Sequence, residues 1–562
     1  MTEWKKSGEY KSVLDIITKK NGLTLKDVMD PKPVQPEDIE SLTAAAGCIF
    51  AAIDCETPIY IVGDYDADGV TSTAILTMTL RAFGGNVQTI IPRRMTDGYG
   101  ISHDLIKSIR DSFIITVDNG IAANEVIKAA KEEQGNTVVV IDHHLPQGDV
   151  PCADVVIDPH VHPENNGFTE YCGAGLAYKL ACYMTAGMDE CPSGLRMDDL
   201  TVLACIGTIA DVMPMIGDNR RIIREGLKIL NDEARFLILS PGIRHLMLLA
   251  QKPYTEETVK YQIGPVMNAC GRLYDRGSES VLKELLNQDE TTAAQYALKM
   301  KEINEERKLI VSNCLESLTP LCEKHKDEPI ITLFEPGIPE GVVGILTGKI
   351  AEQYKRPAFV FTTAKHDDTI CKGSGRSYGG FDISPMVEAV LPLCVAGGGH
   401  AGAAGLTVER SNWQQLADSM LQYMKENGPK NVDMTLYYDM QITTEDVEQV
   451  SHDQSLFAPY GEAIERPVFL VEGFRPVQNK YGNTHMLMGG KSEHIKFFGN
   501  GISAVGFGFA DRYITMNYPD AIDLLCTVDA NTYKGVTTPQ LSIIDLRPAK
   551  GAKFLELFVK GG

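Results

Sequence analysis

The chain has 562 residues, 44% of them hydrophobic, which is enough for three or four domains with sizeable cores. Its 75 acidic and 53 basic residues give a formal net charge of −22, which argues against long-range attraction of a polyanion; basic residues that meet one must act locally, in clusters such as Arg93-Arg94 or Arg220-Arg221-Arg224. No apolar run reaches the roughly 18 residues that span a bilayer, the start MTEWKKSGEY lacks a secretory apolar stretch, and the 13 cysteines form no CxxC pair, so a cytoplasmic protein with reduced thiols and no membrane contact is expected.

In chain order, residues 1–50 read as an N-terminal extension, amphipathic at first and loop-like through PKPVQP. Residues 51–218 alternate strand and helix. The apolar run IYIV empties into Asp64, Asp66 and Asp68; FIITV runs into Asp118-Asn119-Gly120; TVVVI runs into Asp142-His143-His144; Val155–Ile157 leads into Asp158. Helix-like segments, Thr71–Phe83 and Asn124–Glu133, lie between, which predicts an α/β domain on an open parallel sheet with apolar buried strands. Asp211 closes the further apolar stretch LTVLACIGTIAD. Residues 219–328 are expected to be a helical connector, with apolar residues at three and four spacing between Glu279 and Glu328 predicting one long helix. A second α/β unit is expected over 329–425, ENGPKN (426–431) reads as a linker, and 432–562 holds short strand-like runs between glycine and asparagine turns, as in a small β-barrel.

Three carboxylates in five residues cannot be buried bare, because repulsion and desolvation would protonate most of them; a bound cation removes the difficulty. Asp66 and Asp68, two apart on an extended chain, can face one point. In a parallel sheet the other strand-end acids gather at the same edge, where ligands collect. Any one of these Asp residues alone reads as a helix cap or turn residue before a ligand, and either His alone as a core histidine; together they favour a metal centre. Carboxylates with imidazole and no thiolate pair suit Mg²⁺ or Mn²⁺, the histidine tilting the choice to Mn²⁺, with Zn²⁺ open. About six candidate ligands exceed one ion's need, so two metals bridged by a carboxylate are expected, and phosphoester or phosphoanhydride hydrolysis is the reaction class.

GDYDADG, the DNG at Asp118, the DHH at Asp142 and GTIAD ending at Asp211 resemble the successive motifs of the DHH phosphoesterase superfamily. PRRMTDGYG (92–100), IGPVMNACGRL (263–273), GVVGI (341–345), KGSGRS (372–377) and GGGHAGAAGL (397–406) narrow the resemblance to the RecJ single-strand-specific exonucleases, in that family's order. It covers roughly residues 55–550 and implies a DHH domain, a DHHA1-type substrate domain and an oligonucleotide-binding (OB) barrel. It further implies that Asp66 and Asp68 each ligate one of two metals, that Asp118 bridges them, and that His143 and Asp211 complete the second ion's shell. Asp64, Asp142 and His144 would orient ligands or phosphate. Lys372, Ser374 and Arg376, read as a glycine-rich loop, would meet phosphate with Arg94, Arg272 and His400. Phe497, Phe498, Phe507 and Phe509 would be partly core and partly base-stacking platforms.

The implied activity is metal-dependent exonuclease cleavage of single-stranded DNA from the 5′ end to mononucleotides, in repair and recombination, with a single-strand-binding protein or helicase as partners. Ile338-Pro339-Glu340 replaces the Trp-His that the family often carries before GVVGI, removing an aromatic or imidazole contact to nucleic acid. PYGEAIERPVF also departs from a more Asn-rich family segment. Two alternatives remain at this point: a DHH phosphodiesterase of short RNA or cyclic dinucleotides, and a non-catalytic DNA-bound scaffold.

Overall fold

The computed structural model describes residues 3–146, 148–192, 194–429, 435–533 and 536–554. The chain forms two compact units: Met1–Lys32 with Pro214–Ile216 and Met434–Gly562, and Pro33–Met213 with Gly217–Asp433. Strand β1 (Trp4–Lys6) belongs to the first.

The second unit opens on a five-stranded parallel sheet. β2 (Ile59–Val62), β3 (Val87–Ile90), β4 (Phe113–Val117), β5 (Thr137–Ile141) and β6 (Val155–Ile157) lie in the order β3-β2-β4-β5-β6. Helices cover both faces, so β4 is buried at every residue and reads as an unbroken apolar run. The chain leaves β2 for β3 on one side and returns to β4 on the other. That reversal opens a crevice beyond the carboxyl ends of β2 and β4, where Asp64 and Asp118 stand. The expected helices are Ala67–Ala82 and Asn124–Glu132. LTVLACIGTIAD, grouped above with the strand-end runs, is instead the buried helix Met197–Ala210, and Asp211 is its C-cap. A continuously apolar run does not distinguish a buried strand from a buried helix.

The expected single helix between Glu279 and Glu328 is two. Gly277–Leu285 ends, and Glu290–His325 restarts where the Asp289 side chain accepts a hydrogen bond from the Thr292 N–H. Beyond it, β7 (Ile331–Phe334), β8 (Ala358–Ala364), β9 (Asp367–Arg376), β10 (Ala396–His400) and β11 (Ala403–Glu409) form a mixed sheet ordered β10-β11-β9-β8-β7, with helix Glu340–Tyr354 packed on β8 and β9. KGSGRS, expected as a loop, is therefore strand through Arg376, and GGGH lies in β10. Gly373 and Gly375 are required there because a Cβ at either would collide with the Phe361 or Phe359 ring. Of the expected linker at 426–431, helix Trp413–Asn427 takes the first residues, and Lys430 and Asn431 lie outside the described residues.

In the first unit, β12 (Leu436–Tyr438) pairs with β1. A mixed seven-stranded sheet follows, ordered β13-β14-β18-β19-β17-β16-β15, from β13 (Met440–Ile442), β14 (Phe469–Phe474), β15 (His485–Met488), β16 (His494–Phe498), β17 (Ser503–Gly506), β18 (Ile522–Tyr533) and β19 (Val536–Pro548). It is the OB-type domain. The expected 1–50 extension divides. Trp4 donates its indole N–H to Asp545 and lies under the Arg547 guanidinium, while Val13, Ile16 and Ile17 enter this unit's core; helix Leu42–Asp54 belongs to the parallel-sheet unit. Of the proposed base platforms, Phe497 is fully buried and Phe509 packs on the same core, since alternation along β16 sends Ile495 and Phe497 inward; Phe498 is half-buried and Phe507 exposed.

Candidate metal centre and cleft

Asp66 caps helix Ala67–Ala82, one carboxylate oxygen accepting from the N–H groups of Asp68 (3.0 Å) and Gly69 (3.1 Å). Asp68, in the first turn of that helix, accepts from the N–H groups of Gly173 (2.7 Å) and Ala174 (2.9 Å), the unpaired donors at the start of helix Gly173–Thr185. A Cβ on Gly173 would press on Asp118, so glycine is what lets this helix reach the acids. Asp118 follows β4 in the left-handed region, φ 62°. Its neighbour Asn119 sets that turn by donating to the carbonyls of Val62 (3.1 Å) and Val117 (2.9 Å), tying the ends of β2 and β4.

The His143 Nε2 lies 3.1 Å from Asp118, 3.7 Å from Asp211 and 3.8 Å from Asp68. Three groups of ligand atoms converge: Asp64, Asp66 and Asp118; Asp68, His143 and Asp211; and Asp118, His143 and His144. Asp118 and His143 each belong to two of them. Burial, with the neighbouring Asp68 and Asp66 charges, pushes Asp118 well above the ordinary carboxylate range. Burial and Asp66 do the same to Asp64, and burial with Asp68 and Asp66 raises Asp211 to about 8. One buried oxygen of Asp64 has no hydrogen-bond partner among the described residues. An all-oxygen and imidazole donor set, strained by its own charge and with an orphaned oxygen, fits a pair of hard divalent cations.

Asp142 is placed differently. It accepts from the N–H groups of Ile121 and His143 and from the His144 Nδ1 at 2.7 Å. Burial opposes its charge, but the hydrogen bond and charge of His144 outweigh that and hold it below the usual carboxylate range. Burial likewise disfavours the imidazolium of His144, yet the Asp142 contact raises it to about 9. Burial depresses His143, which suits a neutral ligand.

A cleft of 310 Å³ in the same unit begins at Tyr65 and Tyr99, the neighbours of these acids. Arg94 lies over the Tyr65 ring at 4.6 Å, and Arg272 donates to the Gly341 carbonyl at 3.1 Å. Alternation along β9 brings Lys372, Ser374 and Arg376 to one face, with Arg376 donating to Ser374 Oγ at 3.3 Å. Burial and the Arg94 charge lower both Arg272, to about 10, and Arg376, which marks crowded cations awaiting an anion. His400 is not brought into the cleft lining; it sits exposed at the end of edge strand β10.

Two residues, Tyr99 and Glu340, were not foreseen as part of the site, and Asp158, foreseen as a strand-end acid, lies in none of the three ligand groups. Tyr99 contacts His144 at 3.3 Å and donates to the Asp118 carbonyl at 3.0 Å, with Tyr65 packed edge-on against it. Glu340, which entered above only as a departure, pairs with Lys372 at 2.9 Å and accepts from the Lys365 N–H at 2.6 Å. Asp158 is buried with one unpartnered oxygen, and burial raises it to about 7. The aromatic within the turn-rich TDGYG was the available signal for Tyr99; nothing local marked Glu340's partner.

Comparison with known proteins adds the decisive observation. Family models match in succession: the DHH family N-terminal domain over residues 58–208, the DHHA1 domain over 327–426 and the RecJ OB domain over 438–545. The single-stranded-DNA-specific exonuclease RecJ of Dickeya dadantii is 31% identical over 543 residues, covering 90% of each chain. The chain belongs to the RecJ family. RecJ of Bacillus subtilis is 32% identical over 531 residues, and the chain spans 64% of that relative's length. The crystal structure of RecJ from Thermus thermophilus in complex with Mn²⁺ matches with a TM-score of 0.79 at 26% identity, over 96% of this chain and 76% of that one; a Mg²⁺ complex of the same protein matches at 0.74.

Proposed function

We propose that this chain is a metal-dependent exonuclease that hydrolyses phosphodiester bonds of single-stranded DNA from the 5′ end, releasing mononucleotides. The observation that carries this reading is the sharing of Asp118 and His143 between adjoining ligand groups, beside a cleft that begins at Tyr65 and Tyr99 and is lined by Arg94, Arg272 and Arg376. Asp64, Asp66 and Asp118 would hold one divalent cation and Asp68, Asp118, His143 and Asp211 a second, Mn²⁺ or Mg²⁺. When bound, such a pair supplies activation of water and neutralisation of phosphoryl charge. Arg94, Arg376 and Lys372 bind the strand's phosphates, Arg376 through a planar fork suited to two oxygens. Tyr99, exposed beside the acids, offers its ring to a terminal base. His144, whose imidazolium Asp142 favours, is placed to hold a proton beside the acids and to offset charge on the departing oxygen.

The cleft, at 310 Å³, is at the small end of pockets that enclose one compact ligand, which suits a single unpaired nucleotide. We place the activity in DNA repair and recombination in the cytoplasm, beside a single-strand-binding protein or helicase. Among the described residues no helix is long and apolar enough to cross a membrane. With Mn²⁺ present, a single-stranded oligonucleotide should be degraded while the same sequence in a blunt duplex survives; equal rates on both would overturn the reading.

A further inference from the structure

A second hollow lies on the other side of the segment that carries Arg94. Arg93 lines it while Arg94 lines the catalytic cleft, so the two share the 92–100 segment as a wall. Its volume is 590 Å³, within the range of small-ligand sites. The floor is apolar, from Ile90 and Leu105 on the parallel-sheet side and Leu282 and Leu286 opposite. Around it stand Arg81, Arg276 and Lys283, all exposed. Arg93 is already tied to Asp97 through two hydrogen bonds, at 2.9 and 3.0 Å, so that pair cancels. Arg81 makes one contact, to the Val87 carbonyl at 3.3 Å, while Arg276 and Lys283 have no ion-pair partner among the described residues. Glu279 is the one other carboxylate in the lining.

Three cations against one carboxylate is a local reversal of sign in a chain of net charge −22. β3 is also the edge strand of its sheet, so backbone N–H and C=O groups on its outer side, near Ile90, are open to a ligand. Cations for a phosphate, an apolar floor for a ring and free backbone groups for its polar edge describe one chemical class.

The geometry points to a second nucleotide-phosphate site in this hollow, separate from the catalytic cleft and lying across its wall. The nucleotide is either part of the substrate strand beyond the cleft or a free mononucleotide, and this rests on the single-strand exonuclease reading. The test is the full chain carrying Arg276→Gln and Lys283→Gln, both exposed positions where loss of charge leaves folding intact. If the strand is the source, KM for a 20-nucleotide oligothymidylate rises about fivefold or more and its salt slope falls by about 1.4, the loss of two contacts at roughly 0.7 each, while turnover of a trinucleotide is unchanged. If a free mononucleotide is the source, inhibition by deoxythymidine monophosphate weakens severalfold with the oligothymidylate KM unchanged. Either result supports the site, and no change in any of the three overturns it. Direct binding of both probes to the Asp118→Asn chain keeps the two readings apart: a wild-type chain that cuts no DNA defeats the exonuclease reading, whereas charge-independent binding defeats the second site.

Discussion

At the residue scale the centre is an electrostatic problem left open by the protein alone. Asp118→Asn keeps a residue that tolerates φ 62° and removes one charge from the cluster. In chelator this variant should melt a few degrees above the wild type, because burial already pushes the Asp118 carboxyl far from its comfortable charge state. Mn²⁺ should raise the wild-type melting temperature and leave the variant's nearly unmoved, since only the native chain assembles the ligands; equal Mn²⁺ shifts would remove Asp118 from the site. Glu340 makes the opposite kind of prediction. Its carboxylate occupies Lys372 before any phosphate arrives, so Glu340→Gln should lower KM for single-stranded DNA about threefold to fivefold with little change in kcat, as steady-state kinetics would read. A raised KM would mean that the pair orients Lys372 productively instead.

At the scale of elements, the alternation of strand and helix and the acids ending β2, β4 and β5 were legible, because period and composition report burial directly. What was not legible came from tertiary neighbours. Gly373 and Gly375 read as a phosphate loop, but they are glycines because Phe361 and Phe359 occupy the space of their side chains. Gly375→Ala should therefore cost about 1–3 kcal/mol by denaturant unfolding and displace the β9 face that carries Lys372 and Arg376, with Phe359→Leu in the same chain restoring part of the loss. The helix Gly277–Leu285 holds a second surprise in Glu284, fully buried with neither carboxyl oxygen hydrogen-bonded among the described residues. Burial raises it from its ordinary 4.5 to about 8. Over that interval the folded chain keeps a proton that the unfolded chain releases, so stability falls as pH rises, by up to about 1.4 kcal/mol per pH unit. Glu284→Gln removes that slope: its melting temperature should gain on the wild type steadily from pH 5 to pH 8, and parallel profiles would show that Glu284 ionises freely.

For the whole molecule, the formal charge of −22 gave weak guidance because the cations that matter are few and gathered, in the catalytic cleft and in the hollow across its wall. The N-terminal segment was illegible for a related reason. Its role is to pair β1 with β12 and to bury Ile16 and Ile17 in a unit whose remaining strands lie more than four hundred residues away in sequence, which no local pattern reveals. In the proposed function the candidate metal centre and the basic cleft act together on single strands, and one time course tests that most directly. Wild-type and Asp118→Asn chains are given a long 5′-labelled single-stranded oligonucleotide with Mn²⁺, and the products are resolved from the first seconds. Immediate release of labelled mononucleotide by the wild type, with none from the variant, is the expected result. Undiminished cleavage by the variant would contradict the assignment of the centre, and a ladder of shortening labelled products would contradict attack from the 5′ end.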